Sequence, residues 1–452
     1  MHPAPLSRRR FLQSTSASGA GLLLLPTGTL FGQNTPSKKL NIALIGVWGR
    51  GLAHYNTLMK ENVVALCDVN ELRFPDALKA FPKARTYTDW RVLLDKEDKN
   101  IDAVVCCTPD HHHAHIAIWA MNRDKHVYME KPIALTVAEA RAVRALYLKK
   151  RSKLATQAGT QRHAIPNFQR VKEMVRDGAV GTLQGAFAWG NRQLPRPGYL
   201  PAVGTPPATL HYDLWIGPSP MHPYNPDYFS GRAGANCLQW NMFWDFGTGQ
   251  VGDMGAHTMD LAWNALDATY PTSVEASGDP FNPDVTPVKM QAHWQLPANA
   301  WRPEVRLSWY QGKVFPTSPK KFIDLDGIGH GAMFKGNKGV LLSDFSSRML
   351  IPDAKADPAD YIPRPREKQF PPIGDFQEEW INACKGDVTK TSCNFDYNGL
   401  MTECMALGLV AYRAGKRLKY DGKTGLTDDA AANAFLSRPY RQGWALEGPS
   451  KA

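Results

Sequence analysis

Leu40-Asn41-Ile42-Ala43-Leu44-Ile45-Gly46-Val47-Trp48-Gly49-Arg50-Gly51 reads as an apolar strand running into a glycine-rich turn. A turn of this kind lets backbone N–H groups approach a pyrophosphate, and the helix N-terminus beyond it adds positive potential. Trp48 stands where the second glycine of G-x-G-x-x-G would sit, so the turn alone does not separate a nucleotide cradle from an ordinary strand–turn–helix. The following segments decide it. Asp68 ends the next candidate strand at the spacing of a ribose-hydroxyl ligand. Thr108-Pro109-Asp110 closes a third strand, and Glu130-Lys131-Pro132 a fourth. A carboxylate at Asp68 repels a 2′-phosphate, which favours NAD over NADP, although Arg50 and Arg73 lie close enough in sequence to offset it.

Working outward, short apolar runs alternate with helical stretches from Leu40 to about Gln157, the pattern of βαβ units on a parallel sheet. Candidate strands are Asn41–Ile45, Val63–Asp68, Ala103–Thr108, His126–Met129 and Leu154–Gln157. Candidate helices are Gly51–Met59, Leu72–Ala80, His112–Asn122 and Val137–Lys149. After Gln161 the character changes. Pro166–Asp177 reads as a helix. Leu183–Asn191, Val288–Leu296, Val305–Gln311 and Gly339–Ser343 read as strands, and Phe376–Lys385 and Leu400–Tyr412 as late helices that pack back across the boundary. The expected fold is α/β: an N-terminal Rossmann parallel sheet, then a C-terminal α+β domain with a large, mostly antiparallel open sheet. The expected division is 1–35 as an export signal, 36–160 as the nucleotide-binding domain and 161–452 as the substrate and oligomerisation domain.

The signal reading rests on Ser7-Arg8-Arg9-Arg10-Phe11-Leu12-Gln13, which matches a twin-arginine export motif, before an apolar core around Gly19 to Leu30. That core is short for a membrane anchor. The expected address is periplasmic or otherwise exported, through the twin-arginine machinery, with the chain folded beforehand. The bulk numbers agree with a globular protein: 452 residues, 43% hydrophobic and 21% charged. The net charge of +11 is inflated by Arg8, Arg9, Arg10, Lys38 and Lys39. No basic run is interleaved with aromatics, so nucleic acid is not an expected partner. The seven cysteines follow no CxxC or zinc spacing. Free buried thiols are expected, with one disulfide among Cys384, Cys393 and Cys404 as the alternative. His111-His112-His113-Ala114-His115 invites a metal reading, but no Cys or carboxylate cluster accompanies it. A capping or cofactor-edge role is expected instead, and no metal.

Downstream, Gly252-Asp253-Met254-Gly255-Ala256-His257 sets a carboxylate and an imidazole four residues apart, on one face of a helix. A nucleotide cradle, a strand-end lysine and an Asp/His pair are the components of hydride transfer. Together the glycine-rich turn, Thr108-Pro109-Asp110-His111, Glu130-Lys131-Pro132 and Asp253-x-x-x-His257 resemble the Gfo/Idh/MocA oxidoreductases. Gln157-Ala158-Gly159-Thr160-Gln161-Arg162 and the glycine-rich run from Asp245 to Gly255 resemble its twin-arginine-exported bacterial branch. The resemblance runs from about Lys39 to the C-terminus.

That likeness implies a bound nicotinamide cofactor, a carbohydrate substrate (a sugar, sugar acid or polyol) and a homo-oligomer, dimer or tetramer. It implies that Lys131, Asp253 and His257 are catalytic, with His257 as general base, Lys131 on the substrate oxygen and Asp253 orienting His257 or a neighbouring hydroxyl. Cofactor contacts are expected at Gly46, Trp48, Gly49, Arg50, Gly51, Asp68, Thr108, Pro109, His111, His113, Glu130, Lys131, Gln157 and Gln161. Substrate contacts are expected at Arg162, His163, Tyr228, Trp240 and Trp244. Two other functions compete with net oxidation: an NAD-dependent glycoside hydrolase or lyase that oxidises its substrate transiently, and a non-catalytic sugar-binding protein.

Overall fold

The computed structural model describes residues 39–353, 361–387 and 390–447; the twin-arginine motif lies outside them. The expected architecture is present. Six parallel strands, β1 (Asn41–Ile45), β2 (Asn62–Cys67), β3 (Arg85–Tyr87), β4 (Ala103–Cys106), β5 (His126–Met129) and β6 (Thr156–Ala158), lie in the order β3-β2-β1-β4-β5-β6. β1, β4 and β5 are almost wholly apolar and buried, as strands covered on both faces must be. Ile45 pairs with Cys67 on one side and Cys106 on the other. This register levels the carboxyl ends of β1, β2 and β4, so the turns after them converge where the strand order reverses. Ligands bind at such a switch point.

The sequence reading missed β3 and the helix Trp90–Lys96. β3 is three residues long and largely exposed, too short to show alternation. The expected Gly51–Met59 helix is instead a 3-10 turn at Gly51–His54 and one α-turn at Tyr55–Leu58, since Asn56 and Thr57 are weak helix formers. β6 starts later than expected because Leu154 N still donates to Lys150 O (3.1 Å), in the last turn of the helix Val137–Lys150.

The second sheet has nine strands: β7 (Leu183–Gly190), β8 (Ser273–Gly278), β9 (Met290–Leu296), β10 (Val305–Gln311), β11 (Gly331–Gly336), β12 (Gly339–Ser343), β13 (Arg348–Pro352), β14 (Leu418–Asp421) and β15 (Leu426–Thr427). Their order is β13-β12-β11-β7-β10-β9-β8-β14-β15, and among the described residues only β7 and β10 run parallel in it. Glycines obscured β11 in the sequence. A Cβ on Gly331 would meet the Trp189 ring at 2.5 Å, so close packing, not a chain break, selects glycine there. One face of the sheet buries Trp294 and Trp309 against the helices Gly255–Leu266 and Phe395–Ala414. Truncating either tryptophan to alanine costs about 3–5 kcal/mol. The other face carries half-buried Gln291, His293 and Gln295 of β9 and exposed Arg306 of β10.

The Phe395–Ala414 helix packs on the Val137–Lys150 helix, joined by Arg144–Asp396 and Arg141–Glu403 ion pairs. Just before it, residues 391–395 lie along the outer edge of β6. Ala158 N donates to Cys393 O (2.9 Å), Phe395 N to Thr156 Oγ1 (3.1 Å) and Thr391 Oγ1 to Thr156 O (2.5 Å). All seven cysteines are free thiols. Among the described residues, no helix is long and apolar enough to cross a membrane.

Candidate active site

A cavity of about 440 Å³ opens at the carboxyl ends of β1, β2, β4 and β5. On one side stand Gly46, Trp48 and Arg50 of the first turn, Asp68 after β2, Thr108 and Pro109 after β4, and Lys131 after β5. Facing them, from the second part of the chain, are Arg162, Arg192, Trp240, Asp253 and His257.

Gly46 has φ +85°, and a Cβ there would lie 2.7 Å from the Cys107 carbonyl. Only glycine lets the turn fold this closely against β4. The turn is fastened at its base by Gly46 N donating to Cys67 O (2.8 Å) and Val47 N to Asp68 Oδ2 (3.1 Å). Asp68 Oδ1 accepts a second N–H, from Asn70 (3.0 Å). Desolvation pushes the Asp68 pKa up to about 6 despite those N–H groups, so it is ionised at neutral pH. Over the Trp48 ring, 3.9 Å from its centroid, lies the Arg73 guanidinium. The space left at Gly46, the Asp68 carboxylate, and a buried Gln161 Oε1 without a hydrogen-bond partner fit a dinucleotide.

The structure redistributes several expected contacts. Arg50 Nε donates to Glu130 Oε1 (2.8 Å), and His54 Nε2 lies 2.9 Å from the same oxygen. Glu130 is therefore a strut between β5 and the glycine-rich turn. Burial alone would raise its pKa, but Arg50 and His54 hold it down to about 2. Gly49 and Gly51 shape the turn without lining the cavity. Gln157 is fully buried on the edge strand, donating to Glu379 Oε2 (2.8 Å) and accepting from Cys393 N (3.2 Å); it is not a cavity residue. His111 is buried with Nε2 at the Trp215 carbonyl (2.7 Å), and His112 lines the cavity in its place. His113 also lines it, between the carbonyls of Pro132 (2.6 Å) and Thr108 (2.9 Å). The histidine run thus disperses, with His115 on the Trp444 carbonyl. His163 faces away, bonded to Asp260 (2.9 Å), and Trp244 donates to Asn282 O (2.9 Å) outside the cavity. Tyr228 and Trp240 do line it.

At the reacting corner, Lys131 Nζ is ion-paired with Asp253 Oδ1 and donates to the Asp253 carbonyl (3.2 Å). Arg192 Nη1 lies 3.4 Å from Asp253 Oδ2. Asp253 is expected to orient His257 or a neighbouring hydroxyl; in the structure its carboxylate turns to the cations at the end of β5, because an opposite charge outbids a neutral imidazole. Burial works against the Lys131 ammonium, yet the Asp253 carboxylate beside it more than offsets that cost and raises its pKa. His257, 5% exposed, sits in the first turn of the Gly255–Leu266 helix, its Nδ1 buried without a hydrogen-bond partner. Burial, then Lys131, Arg162, Arg50 and Arg192, hold its pKa well below the ordinary imidazole value. A charged lysine and a neutral histidine share one pocket. The sequence reading missed Arg192, Asn236 and Cys237 on the cavity wall. The signal was Arg192 itself, a cation just past the end of β7, where binding residues gather.

The buried histidines also set a pH dependence. Burial lowers the pKa of His111 and His113, of His112 to about 3 and of His115 to about 4. Unfolded, they titrate near about 6.5. Below that pH the unfolded chain binds protons the folded chain refuses, so stability falls as pH falls. The urea midpoint should be lower at pH 5 than at pH 7.5. Equal midpoints would show that these histidines are charged in the native state.

Two adjoining family profiles match the chain. "Oxidoreductase family, NAD-binding Rossmann fold" covers residues 40–158, and "Oxidoreductase family, C-terminal alpha/beta domain" covers 157–295. An inositol 2-dehydrogenase from Salmonella typhimurium is 29% identical over 147 residues, 31% of this chain and 43% of the relative. A glycosyl hydrolase family 109 protein from Shewanella pealeana is 29% identical over 162 residues, 30% of this chain and 35% of the relative. The chain therefore spans less than half the length of these curated relatives. Among solved structures, the WlbA dehydrogenase from Bordetella pertussis, in complex with NADH and UDP-GlcNAcA, matches with TM-score 0.59 at 16% identity, covering 85% of this chain and 99% of that one. An aldose-aldose oxidoreductase from Caulobacter crescentus matches with TM-score 0.55 at 16% identity, covering 84% and 100%. At such identities the likeness is one of fold.

Proposed function

The chain belongs to the Gfo/Idh/MocA family of oxidoreductases, and from that premise we propose that it is an NAD-dependent oxidoreductase of a sugar, sugar acid or polyol, with its cofactor tightly held. The observation that carries this is the charged Lys131–Asp253 pair beside a buried, neutral His257 in the cavity at the switch point. The Gly46 turn, Trp48, Asp68, Thr108, Pro109 and Gln161 would hold the dinucleotide. A nicotinamide held there would supply the hydride acceptor or donor for the substrate carbon.

The protein's own groups do the rest. His257 takes the proton of the carbinol hydroxyl, a task open to it because its neighbours keep it unprotonated. Lys131 donates to the same oxygen and stabilises its developing negative charge. Asp253 keeps the Lys131 ammonium charged and fixed in direction. Asp68 accepts from a ribose hydroxyl and disfavours a 2′-phosphate. Asp68→Ala should therefore erode the preference for NAD over NADP by about tenfold or more, the worth of one hydrogen bond to a charged group. Titration of both nucleotides checks it, and unaltered discrimination would move the ribose contact elsewhere.

Likeness to a glycosyl hydrolase family 109 protein favours a second reading, redox-neutral glycoside cleavage. Oxidising one carbinol acidifies the adjacent C–H; loss of that proton expels the glycosidic group and leaves an enone, water adds to the enone, and return of the hydride restores the carbinol. We also assign the chain to the periplasm or another exported compartment, reached folded by the twin-arginine route, on the strength of Ser7–Gln13. The half-polar outer face of the nine-stranded sheet supports a homodimer or tetramer. A non-catalytic sugar-binding role is disfavoured because Lys131 and His257 are both retained.

The test is to denature protein from the exported fraction and identify released nucleotide by mass. Stoichiometric NAD(H), with glycosides cleaved without any added acceptor, would select the hydrolase. NAD(H) with turnover only when an acceptor is supplied would select the oxidoreductase. Protein that binds neither NAD nor NADP would sink both.

A further inference from the structure

We propose that Arg162 and Arg192 form a receptor for an anionic group on the sugar, so that the substrate is a sugar carboxylate or sugar phosphate and not a neutral polyol. The inference rests on the reading of the site given above and narrows it.

The charges facing the reacting corner do not balance. Arg50, on the glycine-rich turn, is neutralised by Glu130. That leaves Lys131, Arg162 and Arg192 facing the Asp253 carboxylate, which Lys131 already engages. Asp110 also lines the cavity, but its desolvated carboxyl has its pKa pushed well above the carboxylate range, in part by Asp253. Two guanidiniums therefore share what remains of a single carboxylate.

Arg162 is the clearer case. It forms no ion pair among the described residues, and its Nε is buried without a hydrogen-bond partner. Burial, then the nearby Arg192, lower its pKa, which places the two cations in each other's field. Leaving a partly buried charge unpaired is costly, so its retention points to a partner that arrives from outside. Its guanidinium carbon lies over the Phe345 ring, 3.9 Å from the centroid. That cation–π contact holds the guanidinium in place, and its unpartnered Nε is a donor of the kind that binds carboxylates and phosphates. Arg192 is held in turn by donation from Nη2 to the Gly234 carbonyl (2.7 Å).

Location separates this anion from the dinucleotide's pyrophosphate. Arg192 Nη1 lies 3.4 Å from Asp253 Oδ2, and the Phe345 ring beneath Arg162 is 6.5 Å from the His257 ring, so both cations sit at the proton-transfer end of the cavity. A hydroxyl can accept from a guanidinium, but it leaves the charge uncompensated. An anionic sugar answers both charge and geometry.

The experiment uses the full-length, cofactor-loaded protein and a panel of hexuronates, aldonates and hexose phosphates beside the matched neutral aldoses and alditols. Binding is measured by calorimetry and turnover by kcat/KM, on wild type, Arg162→Gln and Arg192→Gln. An acid or phosphate should be preferred over its neutral counterpart by about tenfold or more, with affinity that weakens as salt rises. Arg162→Gln should raise KM for that anion about a hundredfold, at least tenfold more than for the neutral match. Whether carboxylates or phosphates lead identifies the group. Preference for neutral sugars, or equal losses on both classes, would overturn the receptor while leaving the oxidoreductase reading intact. So would a fall in NAD(H) affinity in Arg162→Gln without selective loss of the anion, which would return the cation to the nucleotide. A loaded protein that binds no member of the panel would overturn both.

Discussion

Lys131→Ala should lower kcat about a thousandfold while the protein still carries its nucleotide. The argument is electrostatic. Lys131 is held at the end of β5 by Asp253, so its ammonium is positioned before substrate arrives, and its charge is felt most as the substrate oxygen turns negative. Removing one fixed donor of this kind costs about 10²–10³ in rate. Here the loss also takes from Asp253 the ammonium it is ion-paired to, leaving Arg192 at 3.4 Å. A carboxylate that has lost this partner opposes the charge developing on the reacting oxygen, which puts the expected loss at the upper end. Lys131→Met, which retains bulk but not charge, should behave alike. Nucleotide released from each variant, weighed by mass spectrometry, separates a chemical defect from a lost cofactor. Unimpaired turnover would remove the lysine from the mechanism. Because the Lys131 pKa is raised, the wild-type rate should hold through the alkaline range in which an ordinary lysine starts to lose its proton.

His257→Ala should cost about 10²–10⁴ in kcat/KM, the usual contribution of a positioned base, and should alter the pH profile as well as its height. The imidazole pKa is depressed by burial and four surrounding cations. The competent, unprotonated form therefore persists to pH values well below the ordinary imidazole range. The wild-type profile should be flat through neutrality and fall only in that acid region. In the variant the limb should vanish, replaced by a rate that climbs with hydroxide. A preserved acid limb would assign the base elsewhere. Stability should move little or upward, since the substitution removes a buried Nδ1 that has no partner.

The fold was legible where the physics is local. β1, β4 and β5 announce themselves as apolar runs because both faces of a parallel sheet are buried, and Gly46 because the turn requires a positive φ. β3 was not, since three half-exposed residues carry no period, and neither was β11, whose glycines read as breaks. In the site, the sequence placed Lys131, Asp253 and His257 in one cavity but not in their pairing. Four-residue spacing suggested an Asp/His couple, and no local rule says that a lysine 122 positions upstream will claim the carboxylate. Gln157 failed for a similar reason, because its orientation follows from a segment more than two hundred residues later. Arg192 required knowing that β7 ends at the cavity.

The late cover on β6 bears on how the chain is made. Until residues 391–395 emerge, β6 is a bare edge whose unpaired backbone groups are a template for other strands. They emerge about 230 residues after Ala158. At bacterial-scale synthesis of about 5–20 residues per second, the nucleotide-binding sheet waits roughly ten to fifty seconds on the ribosome with that edge open. Newly made chains in this interval are the state most exposed to edge-to-edge association, and a chain stopped short of Thr391 never leaves it. Quality control that holds the nascent chain until residues 391–395 have emerged would govern yield more than the stability of the completed protein does.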